Sequence, residues 1–357
     1  MKILLLSRYD SLGASSRLRC FQYFPYLLSR GIEVSSYPLL SNRYLEDFYS
    51  GRPTSWSSVA GAYFGRALRL ASARKFDLVW IEKELFPLLP DWAERMLAAF
   101  AIPYAVDYDD ALFHDYDLHR RLLVRKLLGR KIDGVMRHAR LVVAGNEYLA
   151  SRARSAGAPW VEILPTVVDL DRYPSASSSS NETFTIGWMG SPSGTRYVRA
   201  IAGPLAEVCR GGKARVRLIG SSPLELPGIP LSLRAWSEET ERAEIAEFDV
   251  GLMPLGGSPW DKGKCGYKLI QYMACARPVV ASDVGVNGEI VDEGKNGYLA
   301  RTDGDWIRAL NRLASDPELR ARMGAEGRRK VEERYSLRIT APRLAELLRR
   351  CVENDPH

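Results

Sequence analysis

The sequence predicts an α/β protein of two parallel-sheet domains facing a central cleft, on three observations. Apolar runs of strand length alternate with helix-length amphipathic stretches along the chain, the signature of a parallel sheet. A polar run, Ser175-Ala176-Ser177-Ser178-Ser179-Ser180-Asn181, interrupts that alternation near the middle and reads as a flexible hinge. The pattern then restarts. Thr185-Ile186-Gly187-Trp188-Met189-Gly190-Ser191-Pro192-Ser193-Gly194-Thr195-Arg196 repeats the strand, small-residue loop and arginine of residues 3–17. The expected division is an N-terminal domain over 1–174, a hinge over 175–183, a C-terminal domain over 184–335 and a last helix over 336–357.

In the first half, residues 3–7 form a buried-type strand, and the loop from Asp10 to Arg17 opens a helix running to about Ser29. Gly31 ends that helix as a C′ glycine. Further strands are expected at 32–37, 76–81, 102–108 and 141–144, with a helix over 58–74. In parallel sheets ligands sit beyond the C-terminal strand ends. That rule selects Gly13, Ser15 and Arg17, then Glu82 and Glu84, then Asp107, Asp109 and Asp110, and Asn146. Carboxylates there can bind sugar hydroxyls, act as a base or hold a metal. They can equally be a helix cap with solvated acids. A metal is disfavoured, since no second acidic cluster completes a cage. The basic, amphipathic segment 120–140 suits an anionic membrane surface or an ordinary surface helix.

Composition bounds the partners. The 357 residues suffice for two cores, and a net charge of +7 with pI near 9.1 favours an anionic partner. Neither segment 120–140 nor the shorter stretch 60–74, which raises the same membrane possibility, has the strand-borne aromatics of an RNA-binding sheet. The five cysteines lack metal-ligand spacing and fit a reducing cytosol. The opening apolar run is too short for a signal peptide, and none approaches the roughly 20 residues of a spanning helix. These features predict a cytoplasmic protein, at most lying on the inner face of the membrane.

The second half centres on residues 258–274. A strand at 249–254 leads into a Gly/Pro loop carrying Lys262 and Lys264, then a helix from Gly266, and another strand follows at 278–282. The N–H groups and dipole of a helix start favour an anion, and Lys268 lies in its first turn, so this stretch reads as a diphosphate seat. Lys268, Gln271 and Cys275 share one helical face, expected to look into the cleft, with Ile270, Met273 and Ala274 packed on the sheet. The helical tail from Asp305 to Cys351 is interrupted at Asp316-Pro317 and around Tyr335-Ser336.

Pro165-Thr166-Val167-Val168-Asp169, residues 266–274, Pro278-Val279-Val280-Ala281-Ser282, residues 284–291 and Asn296-Gly297-Tyr298-Leu299 occur in one order and spacing. By these the chain resembles the retaining glycosyltransferases of family 4, which have the GT-B fold of two Rossmann-like domains. The resemblance implies a nucleotide-diphosphate sugar bound by the C-terminal half, UDP-sugar favoured, and a glycan or lipid-linked acceptor bound by the N-terminal half. It further implies transfer with retention, no required metal and a last helix crossing back to the N-terminal domain. Gly190 and Ser191 would approach the diphosphate and donor sugar, with Arg196 the nearest basic residue. Trp236 would lie beside the base, and Lys264, Gly266, Tyr267, Lys268 and Leu269 near the phosphates. Gly13, Ser15 and Arg17 would border the acceptor, and Asp109 and Asp110 would be the catalytic candidates. The family's paired glutamates fall at Gly263 and Gln271, neither of which is glutamate. Gln271 can still hydrogen-bond ribose hydroxyls. The rival readings are a non-catalytic sugar-nucleotide-binding subunit and a sugar-nucleotide epimerase of the same fold.

Overall fold

A computed structural model describes residues 1–53, 55–173 and 183–353. The chain forms two compact units. The first comprises Met1–Thr166, Gly263–Cys265 and Leu337–His357; the second comprises Val167–Lys262 and Gly266–Ser336. The change of unit therefore falls at Thr166/Val167, ahead of residue 174. Apart from Thr183, the expected hinge lies outside the described residues.

The first unit holds β1 (Lys2–Leu6), β2 (Glu33–Ser36), β3 (Leu78–Glu82), β4 (Tyr104–Tyr108), β5 (Leu141–Ala144) and β6 (Val161–Ile163). All pair in parallel, in the order β2-β1-β3-β4-β5-β6. Every residue of β3, β4 and β5 is buried, which is why these strands read as unbroken apolar runs rather than alternating ones. Strand order reverses at β1 and β3, so the switch point of the sheet lies beyond Leu6 and Glu82.

Two helices expected as continuous are broken. The helix after β1 is divided into Ala14–Arg19, a 3₁₀ turn at Phe21–Tyr23 and Phe24–Ser29. The break falls at Cys20, whose backbone (φ -125°, ψ -64°) leaves the helical region. Segment 120–140 splits into Leu122–Leu128 and Lys131–His138 around Gly129. Its second half is core: Lys131, Ile132, Val135 and Met136 are buried. The last helix, Leu337–Glu353, belongs to this unit. The Tyr23 hydroxyl lies 3.1 Å from Thr340 Oγ1, and Arg140 Nη1 donates to the Cys351 carbonyl at 3.0 Å.

The second unit holds β7 (Phe184–Met189), β8 (Ala214–Ile219), β9 (Leu231–Arg234), β10 (Val250–Met253), β11 (Val279–Ser282) and β12 (Gly297–Ala300). They too are parallel, in the order β12-β11-β10-β7-β8-β9. The loop before Gly266 contains a short helix, Pro259–Lys262, where the sequence suggested only flexible chain. Helix Asp303–Ser315 opens with a Thr302/Asp305 capping box, and Pro317–Arg334 is capped by Asp316. Among the described residues no helix is long and apolar enough to cross a membrane, and Cys20, Cys209, Cys265, Cys275 and Cys351 are free and buried.

Candidate active site

In the first unit, charged side chains gather at the ends of β1, β3 and β4. Asp107, the last-but-one residue of β4, holds Arg19 through two hydrogen bonds of 2.7 and 3.0 Å, and both side chains are buried. This pair fastens helix Ala14–Arg19 to the sheet, a structural task. Asp109 lies 2.9 Å from Lys83 Nζ, which also donates to Ser15 Oγ at 3.1 Å. Asp110 receives Lys264 Nζ at 2.9 Å and lies 3.7 Å from Lys83.

Burial alone would raise the Asp109 carboxyl, but the Lys83 ammonium and the Ser15 hydroxyl outweigh it and hold it below its ordinary range. Lys83 is likewise drawn down by burial, yet Asp109 and Asp110 leave it raised. Two aspartates and two lysines thus form a charge-balanced cluster. An Asp109 kept ionised accepts hydrogen bonds and does not donate them. Lys83 sits at φ 67°, a left-handed backbone costing a non-glycine residue about 1–2 kcal/mol. Its two aspartate partners offset that cost.

Lys264 reaches this cluster because residues 263–265 are fixed to the same strand ends. Asn146 caps helix Glu147–Ala156 through Oδ1, while its Nδ2 donates to the carbonyls of Gly263 and Lys264 at 3.1 and 3.0 Å. The Cys265 thiol donates to the Asp109 carbonyl at 3.1 Å, and burial pushes that thiol up. A Cβ on Gly263 would lie 2.4 Å from Ala111 Cβ. Glutamate therefore does not fit at the position where the family pattern would carry one. Lys264, expected near the phosphates, pairs with Asp110 here. Gly13 has no room for a side chain either, since a Cβ would meet Tyr9 Cβ at 2.4 Å. Ser15 joins the cluster, whereas Arg17 turns away to the Ser11 carbonyl at 3.1 Å.

In the second unit, the small loop after β7 and the helix Tyr267–Ala274 come together. A Cβ on Gly190 would lie 2.6 Å from the Trp188 ring and 2.8 Å from Lys268 Cε. Lys268 Nζ stands 5.8 Å from the Trp188 ring centroid. Gly266 caps the helix at φ 67°, and a Cβ there would strike Ile290 Cδ1 at 2.2 Å, so both backbone and space demand glycine. Tyr267 and Lys268 are half-buried, while Leu269 is fully buried and bears on the site only through its backbone. Ser191 is exposed beside Ser193 at 3.0 Å. Arg196 donates to the Tyr197 hydroxyl at 2.8 Å and stacks on that ring; the hydroxyl in turn donates to Asp261.

Gln271 corrects an expectation. It does not present itself with Lys268 on an open face, because Gln271 and Cys275 are both buried. Its amide donates to the Tyr173 hydroxyl at 3.0 Å and to Glu241 at 3.2 Å. Glu241, buried on helix Glu241–Ala246, also accepts from Tyr173 at 2.6 Å and from Trp236 Nε1 at 3.0 Å. A buried amide must find an acceptor, and Glu241 supplies it. Sequence reasoning missed two residues. Lys83 lies between the noted Glu82 and Glu84, and a lysine among acids at the end of a buried strand was itself a signal. Glu241 stands one turn before Ile245 on a core-facing side, where a carboxyl group is out of place.

Residues 185–316, which apart from 263–265 belong to the second unit, match the family model described as Glycosyl transferases group 1. A curated relative is the GDP-mannose-dependent alpha-(1-6)-phosphatidylinositol monomannoside mannosyltransferase of Mycolicibacterium smegmatis. It is 37% identical over 110 residues, which are 30% of this chain and 29% of that protein. The chain covers only 20–29% of the length of the curated relatives it matches. Among solved structures, sucrose-phosphate synthase from Thermosynechococcus elongatus superposes with TM-score 0.71 at 14% identity, over 98% of each chain. The Anabaena protein HepE, solved with UDP-glucose, gives TM-score 0.70 at 17% identity, over 98% of this chain and 99% of that one. The fold is therefore that of the GT-B glycosyltransferases, two Rossmann-like domains with six parallel strands each.

Proposed function

We propose that the protein is a retaining glycosyltransferase, moving a sugar from a nucleotide-diphosphate sugar to a glycan or lipid-linked acceptor in cell-surface polysaccharide or lipopolysaccharide synthesis. The observation that carries this reading is the grouping of Gly190, Lys268 and the Gly266 helix start inside the segment matching the glycosyltransferase model. The donor is taken by the second unit. Gly190 lets a diphosphate approach the backbone, and Lys268 with the first helical turn neutralises its charge. In transfer the bond from the anomeric carbon to the diphosphate oxygen breaks, and a bond to an acceptor oxygen forms on the same face. The acceptor's proton leaves with the diphosphate. Stabilising the departing diphosphate supplies most of the rate, and no metal is required.

UDP-sugar is the favoured donor, supported by the likeness to HepE, which was solved with UDP-glucose. Glu241 and Gln271 position Trp236 beside the base. Asp109 and Asp110 serve as fixed anions within the acceptor unit. The protein works in the cytoplasm, at the inner face of the membrane, through Leu122, Leu123 and Leu127, which are exposed beside Arg121, Arg125 and Lys126.

Replacing Lys268 with alanine should lower turnover about 100-fold, the size of one lost transition-state donor; near-normal turnover would remove the phosphate assignment. Melting temperature against UDP, GDP, dTDP and ADP and their sugars tests the donor. Saturating ligand at about 100 times Kd adds roughly 2.7 kcal/mol, and no shift with any of them would sink the reading. One observation favours a second reading: Gly263 has no room for a side chain and Gln271 is committed to Glu241. A non-catalytic sugar-nucleotide-binding subunit would show the shift with neither transfer nor donor hydrolysis.

A further inference from the structure

A cavity of about 510 Å³ opens at the C-terminal edge of the first unit's sheet, where ligands of parallel sheets bind, and its size is that of a small-molecule site. It is built from the segments that follow β1, β2, β3 and β4 together with the start of helix Trp56–Ala71. Five aromatic side chains line it: Tyr9, Tyr44, Trp56, Tyr63 and Tyr116. Tyr9 and Tyr44 stack with centroids 6.4 Å apart, and the Tyr63 hydroxyl is tied to the Pro87 carbonyl at 2.8 Å, so these walls are braced. Trp56 stands at the rim, 88% exposed.

Two charged groups face this aromatic space, Arg8 and Asp115. Arg8 is underused. Its Nε is buried without a hydrogen-bond partner among the described residues, and the nearest carboxylate, Glu84, lies 3.6 Å from Nη1, beyond a hydrogen bond. Glu84 is already occupied by Lys131 and by the Tyr116 hydroxyl at 2.9 Å. With its side chain 24% exposed and its Nε unpartnered, Arg8 keeps donor capacity for a ligand with acceptor oxygens. Asp115 supplies the complementary acceptor.

We infer that this cavity binds a pyranose ring of a glycan acceptor, its C–H face against Trp56 and the tyrosines and its hydroxyls shared between Arg8 and Asp115. Flat apolar walls with a donor and an acceptor at one side match a sugar, which has an apolar face and hydroxyls that both donate and accept. A purely aliphatic chain would leave both charges unanswered, and a simple anion would meet Asp115. As an acceptor site the assignment rests on the transferase reading above; as a sugar site it stands alone.

Saturation-transfer NMR on the full chain tests it, with methyl α-D-glucopyranoside, methyl α-D-mannopyranoside and decyl phosphate as probes. The expected result is transfer to the ring C–H protons of at least one sugar, reduced five-fold or more in Trp56→Ala and in Asp115→Asn. No transfer to either sugar, or transfer unchanged in both variants, overturns the proposal. So does decyl phosphate binding that exceeds both sugars and is indifferent to Asp115→Asn, which would make the cavity a lipid-phosphate site. The nucleotide melting shift is read on the same samples. A UDP shift without sugar transfer removes this site and leaves the donor reading, whereas sugar transfer without any nucleotide shift does the reverse.

Discussion

At the scale of single residues, the acidic run after β4 divides its labour by environment. Asp107 is structural, Asp109 is held ionised by Lys83, and Asp110 secures Lys264. Burial decides what each pair is worth. Arg19 and Asp107 are almost wholly enclosed, so Arg19→Met leaves a buried carboxylate alone and should cost about 3–5 kcal/mol. Arg154 and Glu147 are about half exposed, and Arg154→Ala should cost less than about 1 kcal/mol. Urea unfolding of the two variants checks the contrast, and equal losses would show that burial does not govern these pairs.

Among elements, the segment 263–265 shows how close packing sets what a position can carry. Gly263 and Gly145 lack the side chains that would collide with Ala111 and Cys265, and this lets Asn146 reach both carbonyls. Gly263→Ala should therefore cost about 1–3 kcal/mol by overpacking. An unchanged urea midpoint would show that the segment yields. The strands of both sheets were legible because parallel strands buried on both faces are unbroken apolar runs, and the breaks at Asp316-Pro317 and Tyr335-Ser336 were legible as cap and breaker chemistry. β12 was not, because its half-exposed Gly297-Tyr298-Leu299-Ala300 is no unbroken apolar run. Gly266 and Lys268 could be read together from the helix start, whereas Gly190 was placed beside them only by the family resemblance. The partners of Gln271 and Lys264 could not be read, since Glu241 and Asp110 lie 30 and 154 positions away, and no local pattern reports such distances.

For the whole molecule, the second half of the basic segment is core, so the membrane contact proposed above rests on helix Leu122–Leu128 and its exposed leucines. Cosedimentation with vesicles containing anionic phospholipid should fall at least ten-fold in the Leu123→Gln, Leu127→Gln double variant and weaken with added salt. Equal pelleting of the double variant would exclude this helix as the contact.

The first unit is assembled from stretches separated by most of the chain, with Leu337–Glu353 meeting residues as early as Tyr23 and Arg30. Domains ordinarily fold as units while synthesis proceeds, the N-terminal one first. Here the first unit's sheet stays uncovered on the flank that helix Leu337–Glu353 packs on until that helix has been made. Deleting residues 337–353 should therefore leave that flank of the first unit exposed, read as increased binding of a hydrophobic dye.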